Sequence, residues 1–386
     1  MCKYLLETTA APGEGGTHIR GVAGITGRPK GNARELVVRK VSASPQRVSE
    51  PTRPSPAPAG FGTPLTDRQG RLITYLRLSV TDRCGFRCRY CSPAPHQDRE
   101  TFLRLDEIVR LVRLFARLGI RRVRLTGGEP TLRPDLAAIA REARRAPGID
   151  EVALTTNGQR LRELARDLHQ AGISAVNVSL DTLVPEKLFE ISGRGADLAR
   201  VLEGIQTASR AGFASLKLNT VLMRGVNDGE AADLVRFAWS VGAVPRFIEL
   251  MPFGEGEPVP TGEAKGLLRS RGLSLEPDPS RGWGPAHYLR ATDGATGMDG
   301  LVGFIGALTE NFCAACNRAR LTSAGEFQAC LGGRDRVPLA RLMRAGASDR
   351  ALEAEVRLAL GRKDDRHHMV DAGARLVLLP MMGIGG

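Results

Sequence analysis

The amino-acid sequence predicts an α/β fold: an incomplete (β/α)6 barrel followed by a smaller C-terminal domain. Two patterns predict it. Apolar, β-branched runs recur at 76–81, 123–127, 152–156, 175–180, 216–223 and 245–250, with helix-like segments between them. Alternating strands and helices build parallel strands joined by right-handed crossovers, and six such units leave a barrel open on one side. Beyond residue 252 the rhythm dissolves. Residues 253–300 are rich in Gly and Pro and lead into a late group of cysteines, which reads as a small unit covering the open side.

Taken in order, residues 1–62 read as a disordered N-terminal extension, 63–252 as the partial barrel and 253–386 as the C-terminal unit. Gly, Pro, Ser and Thr dominate the extension, which ends in SEPTRPSPAPAG, and such a composition buries too little apolar surface to offset the entropy of ordering. Glu35 to Val41 is its one strand-like stretch. The run at 76–81 opens into an Arg-rich loop with Cys84, Cys88 and Cys91. The first helix, Leu105 to Leu118, has apolar residues at Leu105, Ile108, Val109, Leu111, Val112, Leu114 and Phe115, the period of one buried face. After the second strand come Gly127, Gly128, Glu129 and Pro130. The glycines either let backbone approach a ligand closely or make a tight turn before Pro130; Glu129 either accepts from an ammonium or fixes the loop. Arg77, Arg124 and Lys217 are charged residues inside otherwise apolar strands, Lys217 sharing a face with Asn219 and Val221. One such cation reads equally as a buried salt bridge, but three favour an anion pocket. Arg318 to Thr322 reads as a strand with Arg318 and Arg320 on one face and Ala319 on the other, and Leu352 to Leu360 as a short helix. Arg362, Lys363, His367 and His368 read as solvated charges. In barrels of this kind chemistry gathers at the C-terminal strand ends, and the barrel's motifs fall there.

The cysteines carry the most chemistry. Cys84, Cys88 and Cys91 have the spacing of thiolate ligands to an iron–sulfur cluster. Three thiolates leave one iron of a [4Fe–4S] cubane without a protein ligand, and that iron is a reaction site. Cys313, Cys316 and Cys330 form a second group of three. A structural zinc site closes with a fourth Cys or His, and the nearest histidines are distant in sequence, so a second cluster with its own open iron is the preferred reading. Cys2 is left over.

Composition fits a soluble enzyme. No stretch approaches 18 uncharged apolar residues, so no membrane span is expected. The N-terminus lacks the apolar core of a secretory signal, and cluster thiols need a reducing compartment; a cytoplasmic location follows. The net charge of +13 suits nucleic acid or an anionic pocket equally. No Lys/Arg run interleaved with aromatics occurs, and no nucleic-acid partner is expected.

With these residues in hand, the chain resembles the radical SAM superfamily and, within it, the GTP 3′,8-cyclase family of molybdenum cofactor biosynthesis. The similarity runs from about residue 70 to 386 through RLTGGEP (124–130), TTNG (155–158), NVSLDTL (177–183), ISGR (191–194), KLNTVLMRGVND (217–228), RFIELMP (246–252), CNRARLTSAGEFQACL (316–331) and MMGIGG (381–386). It departs at Gly85, where Asn is usual, at Ser92, where a larger apolar residue is usual, and at Thr131, where Leu or Ser is common. None of these removes a ligand, and Gly85 bears on how tightly the first cysteine loop is held. The resemblance implies a radical SAM barrel with two [4Fe–4S] clusters and S-adenosylmethionine (SAM) as cofactors. It places Tyr90, Gly128, Ser179 and Met251 around SAM, and Arg77, Arg124, Thr155, Lys217, Arg318, Ala319 and Arg320 around GTP. It implies that reductive cleavage of SAM yields a radical that takes the ribose 3′ hydrogen of GTP, after which the ribose carbon closes on guanine C8. An electron donor of flavodoxin or ferredoxin type, a downstream cyclic pyranopterin monophosphate synthase, and room for a homodimer follow from the same source, as does a Gly385-Gly386 tail threaded into the active site. Two rivals share part of the signal. A peptide-modifying radical SAM enzyme usually needs more than three downstream cysteines, and a non-catalytic iron–sulfur protein binding nucleic acid would not need Gly127 to Pro130.

Overall fold

The computed structural model describes residues 62–91, 102–193, 195–281, 284–333 and 335–369, with the backbone of three short strands before them. Those three, β1 (Lys3–Glu7), β2 (Gly16–Val22) and β3 (Val37–Arg39), form an antiparallel sheet of their own in the order β1-β2-β3. Val37–Arg39 lies inside the stretch read as strand-like.

The six expected strands are β4 (Tyr75–Ser79), β5 (Arg122–Thr126), β6 (Glu151–Thr156), β7 (Ile173–Ser179), β8 (Ser215–Leu222) and β9 (Val244–Glu249). They pair in parallel in sequence order. Helices α1 (Leu105–Arg117), α2 (Leu136–Arg145), α3 (Leu161–Gln170), α4 (Pro185–Ser192), α5 (Leu198–Arg210) and α6 (Ala231–Ser240) connect them. Local chemistry sets the helix starts: Glu107 reaches back to the Arg104 N–H at 2.8 Å before α1, and Asp197 accepts from the Arg200 N–H at 3.3 Å before α5.

The C-terminal segment contributes α7 (Thr261–Ser270), β10 (Leu273–Arg281), β11 (His287–Asp293), β12 (Asp299–Ile305), β13 (Arg318–Leu321), β14 (Glu326–Gln328), β15 (Val337–Pro338), α8 (Leu339–Arg344) and α9 (Asp349–Gly361). It joins the barrel sheet at both edges. β12 runs parallel to β9 and β13 parallel to β4, giving one 12-stranded sheet ordered β10-β11-β12-β9-β8-β7-β6-β5-β4-β13-β14-β15. Between Ile305 and Arg318 the chain crosses from one edge to the other, carrying Cys313 and Cys316 over the open side.

Side-chain alternation divides each strand in two. Leu76, Leu78, Val123, Leu125, Val152, Leu154, Val176, Val178, Leu216 and Leu218 point outward to the helices in one apolar core, which Ala319, Leu321, Phe327, Leu339 and Val356 of the C-terminal unit share. Phe115 of α1 stacks on Phe327 with centroids 5.6 Å apart. The alternate residues face the lumen and are polar: Arg77, Arg122, Arg124, Thr155, Asn177, Lys217, Asn219 and Arg246.

Candidate active site

The first cysteine loop leaves the C-terminal end of β4 and is fastened by backbone. Arg87 N–H donates to the Ser192 carbonyl at 2.8 Å, Arg89 N–H to Ile191 at 2.9 Å, Glu255 N–H to Arg89 at 2.8 Å, and Glu129 N–H to Arg83 at 2.6 Å. Gly128 is required here, because a Cβ would run into the Arg83 carbonyl; a Cβ on Gly195 would likewise strike the carbonyl of Gly85. Gly85 itself has open space beside it, and the contact with Gly195 holds the loop at the position where the family pattern has Asn. Burial raises the Cys84 thiol to about 11, against one backbone hydrogen bond from Phe86, and raises Cys88 further. Thiolates here need a cationic centre to form, which an iron–sulfur cluster supplies. Among the described residues no three His, Cys, Asp or Glu side chains gather as tightly as one metal ion requires; ligands of a cluster stand wider apart than those of a single tetrahedral ion.

Glu129 is wholly committed to the protein. It accepts from Thr131 N–H at 3.0 Å and from the hydroxyls of Thr131 and Thr156 at 2.6 and 2.7 Å through one oxygen, and from Asn157 N–H at 2.6 Å through the other. Of the two roles weighed for it, loop fixation is the one observed: it ties the end of β5 to the end of β6.

The second group sits over the same cavity. Cys313 begins a single 3₁₀ turn, Cys316 follows it, and Cys330 comes just after β14. Burial would raise the Cys316 thiol, but Arg318 and Lys363 beside it outweigh burial and bring it to about 7. Cys330 is raised by burial. The residues present fit two clusters: two sets of three thiols, 84–91 and 313–330, line one cavity of about 320 Å³.

Cations fill the space between. Arg320, Arg77 and Arg124 are register partners on the adjacent strands β13, β4 and β5. Arg124 donates to the Tyr75 hydroxyl, and to the Leu154 carbonyl and Thr155 hydroxyl at 3.1 Å each. Burial would raise Tyr75, yet Arg124, Arg122 and Arg77 lower it to about 7. Lys217 donates to Ser215 at 2.7 Å and is held well below the usual lysine range by burial, then by Arg246, Arg122 and Arg124. Arg320 is depressed by burial, then by Arg77 and Arg318. Arg122 pairs with Glu151 at 2.7 Å, and Arg246 bonds Asn219 at 2.9 and 2.6 Å. Arg318 lies 4.7 Å over the Phe312 ring. Such crowding of buried like charge is costly by itself and favourable around a polyanion.

Of the site residues predicted from sequence, all but one line this cavity: Cys84, Cys88, Cys91, Tyr90, Gly128, Ser179, Met251, Arg77, Arg124, Thr155, Lys217, Arg318, Arg320, Cys313, Cys316 and Cys330. Ala319 is the exception. Its side chain is fully buried in the outer core, on the opposite face from Arg318 and Arg320, and does not face the cavity. Tyr90 donates to Asp181 at 2.7 Å. Sequence reasoning passed over Tyr75, Arg122, Asn177, Asp181 and Arg246; for Arg122 and Arg246 the signal that marked Arg77, a cation within an apolar strand, was available. Lys363 and His367, read as solvated, are 4% and 8% exposed. Lys363 donates to the Arg318 carbonyl at 3.1 Å and His367 Nε2 meets the Ala307 carbonyl at 2.7 Å. Ser92, Arg194, the Gly385-Gly386 tail and most of 1–61 lie outside the described residues.

A partial barrel whose first strand opens into three cluster-type thiols, opposite backbone-lined Gly127 and Gly128, defines a radical SAM enzyme, and residues 78–238 match the Radical SAM superfamily model. Residues 244–369 match the Molybdenum Cofactor Synthesis C model. The chain is 42% identical over 321 residues to the GTP 3′,8-cyclase of Pelotomaculum thermopropionicum, covering 80% of this chain and 96% of that one. It is 39% identical over 317 residues to molybdenum cofactor biosynthesis protein 1 of Bos taurus, covering 80% of this chain and 49% of the bovine protein. A crystal structure of Streptococcus suis SuiB bound to S-adenosylmethionine shares the fold, with a TM-score of 0.54 at 15% identity over 75% of this chain and 69% of SuiB. The chain belongs to the GTP 3′,8-cyclase family.

Proposed function

We propose that the chain converts GTP to (8S)-3′,8-cyclo-7,8-dihydroguanosine 5′-triphosphate, the first step of molybdenum cofactor biosynthesis. The observation that carries this reading is the row of lumen cations between two three-cysteine groups in one cavity. A triphosphate matches that charge, and the two groups divide the labour. Cys84, Cys88 and Cys91 would hold the [4Fe–4S] cluster that binds SAM; Cys313, Cys316 and Cys330 would hold a second, facing the purine.

When bound, the first cluster and SAM would supply reductive radical chemistry directed at the ribose of GTP. The protein's part is to bind, orient and shield. Arg77, Arg124, Lys217, Arg318 and Arg320 would grip phosphate oxygens, the guanidiniums as forked donors. Thr155 would add a hydroxyl, and Ala319 only its backbone. Tyr90, Gly128, Ser179 and Met251 would line SAM, Gly128 by letting backbone approach. The crossing at 306–317 covers the open side and limits access of water to reactive species.

Anaerobic incubation with SAM, reductant and GTP, followed by chromatographic separation from GTP and mass analysis of the new peak, tests the reading. The expected product is isomeric with GTP, alongside 5′-deoxyadenosine; unchanged GTP under conditions that cleave SAM would refute it. Around this core we place an electron donor of flavodoxin or ferredoxin type, release of product to a cyclic pyranopterin monophosphate synthase, and a cytoplasmic setting. No helix among the described residues is long and apolar enough to cross a membrane. We retain the division into an extension (1–62), a barrel (63–252) and a C-terminal unit (253–386) as an organisation of function.

A further inference from the structure

Among the buried charges outside the lumen is a cluster beneath the second cysteine group. Asp67, on the segment leading into β4, and Lys363, just after α9, have side chains 0% and 2% exposed, with Lys363 Nζ 3.8 Å from Asp67 Oδ2. The same oxygen accepts from Arg71 Nε at 2.6 Å, and Oδ1 accepts from the backbone N–H groups of Gln69 and Arg71 at 3.0 Å each. From this centre two contacts reach the second cysteine group. Arg71 Nη1 donates to the Cys313 carbonyl at 2.8 Å. Lys363 Nζ donates to the Arg318 carbonyl at 3.1 Å and lies 3.8 Å from Cys316 Sγ.

A lysine buried this deeply is costly without a counter-charge. Asp67 supplies one at the loose distance of 3.8 Å, while its short bond goes to Arg71. The ammonium therefore keeps a proton for sulfur. Hydrogen bonds to the sulfurs and nearby positive charge favour the more negative, reduced form of an iron–sulfur cluster, and so raise its reduction potential. Cys84 and Cys88 have neutral partners instead: the Phe86 N–H at 3.4 Å and the Ser192 hydroxyl at 3.3 Å.

We propose that Lys363 is a positioning residue that raises the reduction potential of the C-terminal cluster by donating to Cys316, with Asp67 and Arg71 holding it in place. The proposal rests on the assignment of Cys313, Cys316 and Cys330 to a cluster. Arg318 also approaches Cys316 Sγ, at 3.9 Å, but it faces the substrate cavity. Lys363 does not line that cavity, and a titration run without GTP keeps its contact with the Arg318 carbonyl out of the readout.

Anaerobic redox titration of the full chain, followed by electron paramagnetic resonance, tests it, the C-terminal signal being the one lost from Cys313→Ala. Lys363→Met should move that signal's midpoint to more negative potential and leave the first cluster's midpoint and the iron content, about eight per chain, unchanged. Lys363→Gln, which keeps an N–H donor without the charge, should move it less. An unchanged midpoint in Lys363→Met overturns the proposal. Loss of the second cluster from both variants, with the first retained, makes the role structural and also overturns it. A parent chain with about four irons overturns the cluster assignment and the proposal together, and iron analysis shows this before any variant is made.

Discussion

At the residue scale, the lumen cations are the part of the site with the sharpest consequences. Arg318 and Arg320 lie one pleat apart on β13, and both line the cavity. Replacing either by Ala should weaken GTP binding by about 1.5–3 kcal/mol, the range of a charge-assisted hydrogen bond, with iron content and uncoupled SAM cleavage retained; anaerobic calorimetry with GTP measures this. Asp181 gives a pH effect. Burial pushes its carboxyl up to about 6, against hydrogen bonds from Val221 and Tyr90. The native state therefore holds this proton more tightly than the unfolded chain, where Asp titrates near about 3.9. That contribution to stability is full below pH ~4 and is lost as the pH rises through 6. Asp181→Asn should gain on the parent between these limits, by up to about 3 kcal/mol, in denaturation curves taken at pH 4 and 6.5; a pH-independent difference would count against the assignment. These two cases also mark what sequence can show of a site. Arg318 and Arg320 were legible because a strand's period of two fixes which face they share. Lys363 and His367 were misread because charge beside charge after a helix looks solvated until the segment carrying Asp67 and Arg71 is folded over it.

At the scale of elements, the six barrel strands lie within two residues of the runs read from sequence, since an apolar outer face marks each one locally and a glycine stands near one end of all but β4. The hairpins of the C-terminal unit were not separately legible. β10, with sequence LSLEPDPSR, carries two prolines and three charges, and its pairing with β11 is decided by contacts across a turn. Nor does any local pattern say that β13 adds to β4, a partner more than two hundred residues earlier. The cysteine loop is the element on which catalysis would depend most closely, because its carbonyls pack against glycine backbone. Gly128→Ala forces the Arg83 segment to move. Since displacements near 1 Å can cost about a hundredfold in rate, SAM cleavage should fall by about that factor while GTP affinity changes little, as followed by 5′-deoxyadenosine release and calorimetry.

On the scale of the whole molecule, the two matched families share one sheet. A chain ending at residue 252 would expose unpaired edges on both β4 and β9 and lose Phe327 and Val356 from the common core. It should be recovered as aggregate, whereas a chain lacking residues 1–62 should stay monodisperse in size-exclusion chromatography with little change in cyclisation. Removing Gly385-Gly386 should lower cyclisation far more than SAM binding; full activity without the two glycines would contradict a tail in the active site.

The crossing between Ile305 and Arg318 also has a consequence in time. During synthesis on a ribosome, the strands β4 to β9 emerge first and remain a ribbon with two sticky borders until more than fifty further residues have appeared. The chain that finally seals one border must then travel across the bowl to seal the other, and Cys313 and Cys316 ride on that same stretch, with Cys330 following after β14. Sealing of the β4 border and arrival of the first two thiols of the second set are thus a single event. A nascent protein of this topology is exposed to mispairing for that interval, and iron delivered early would find only the first set waiting.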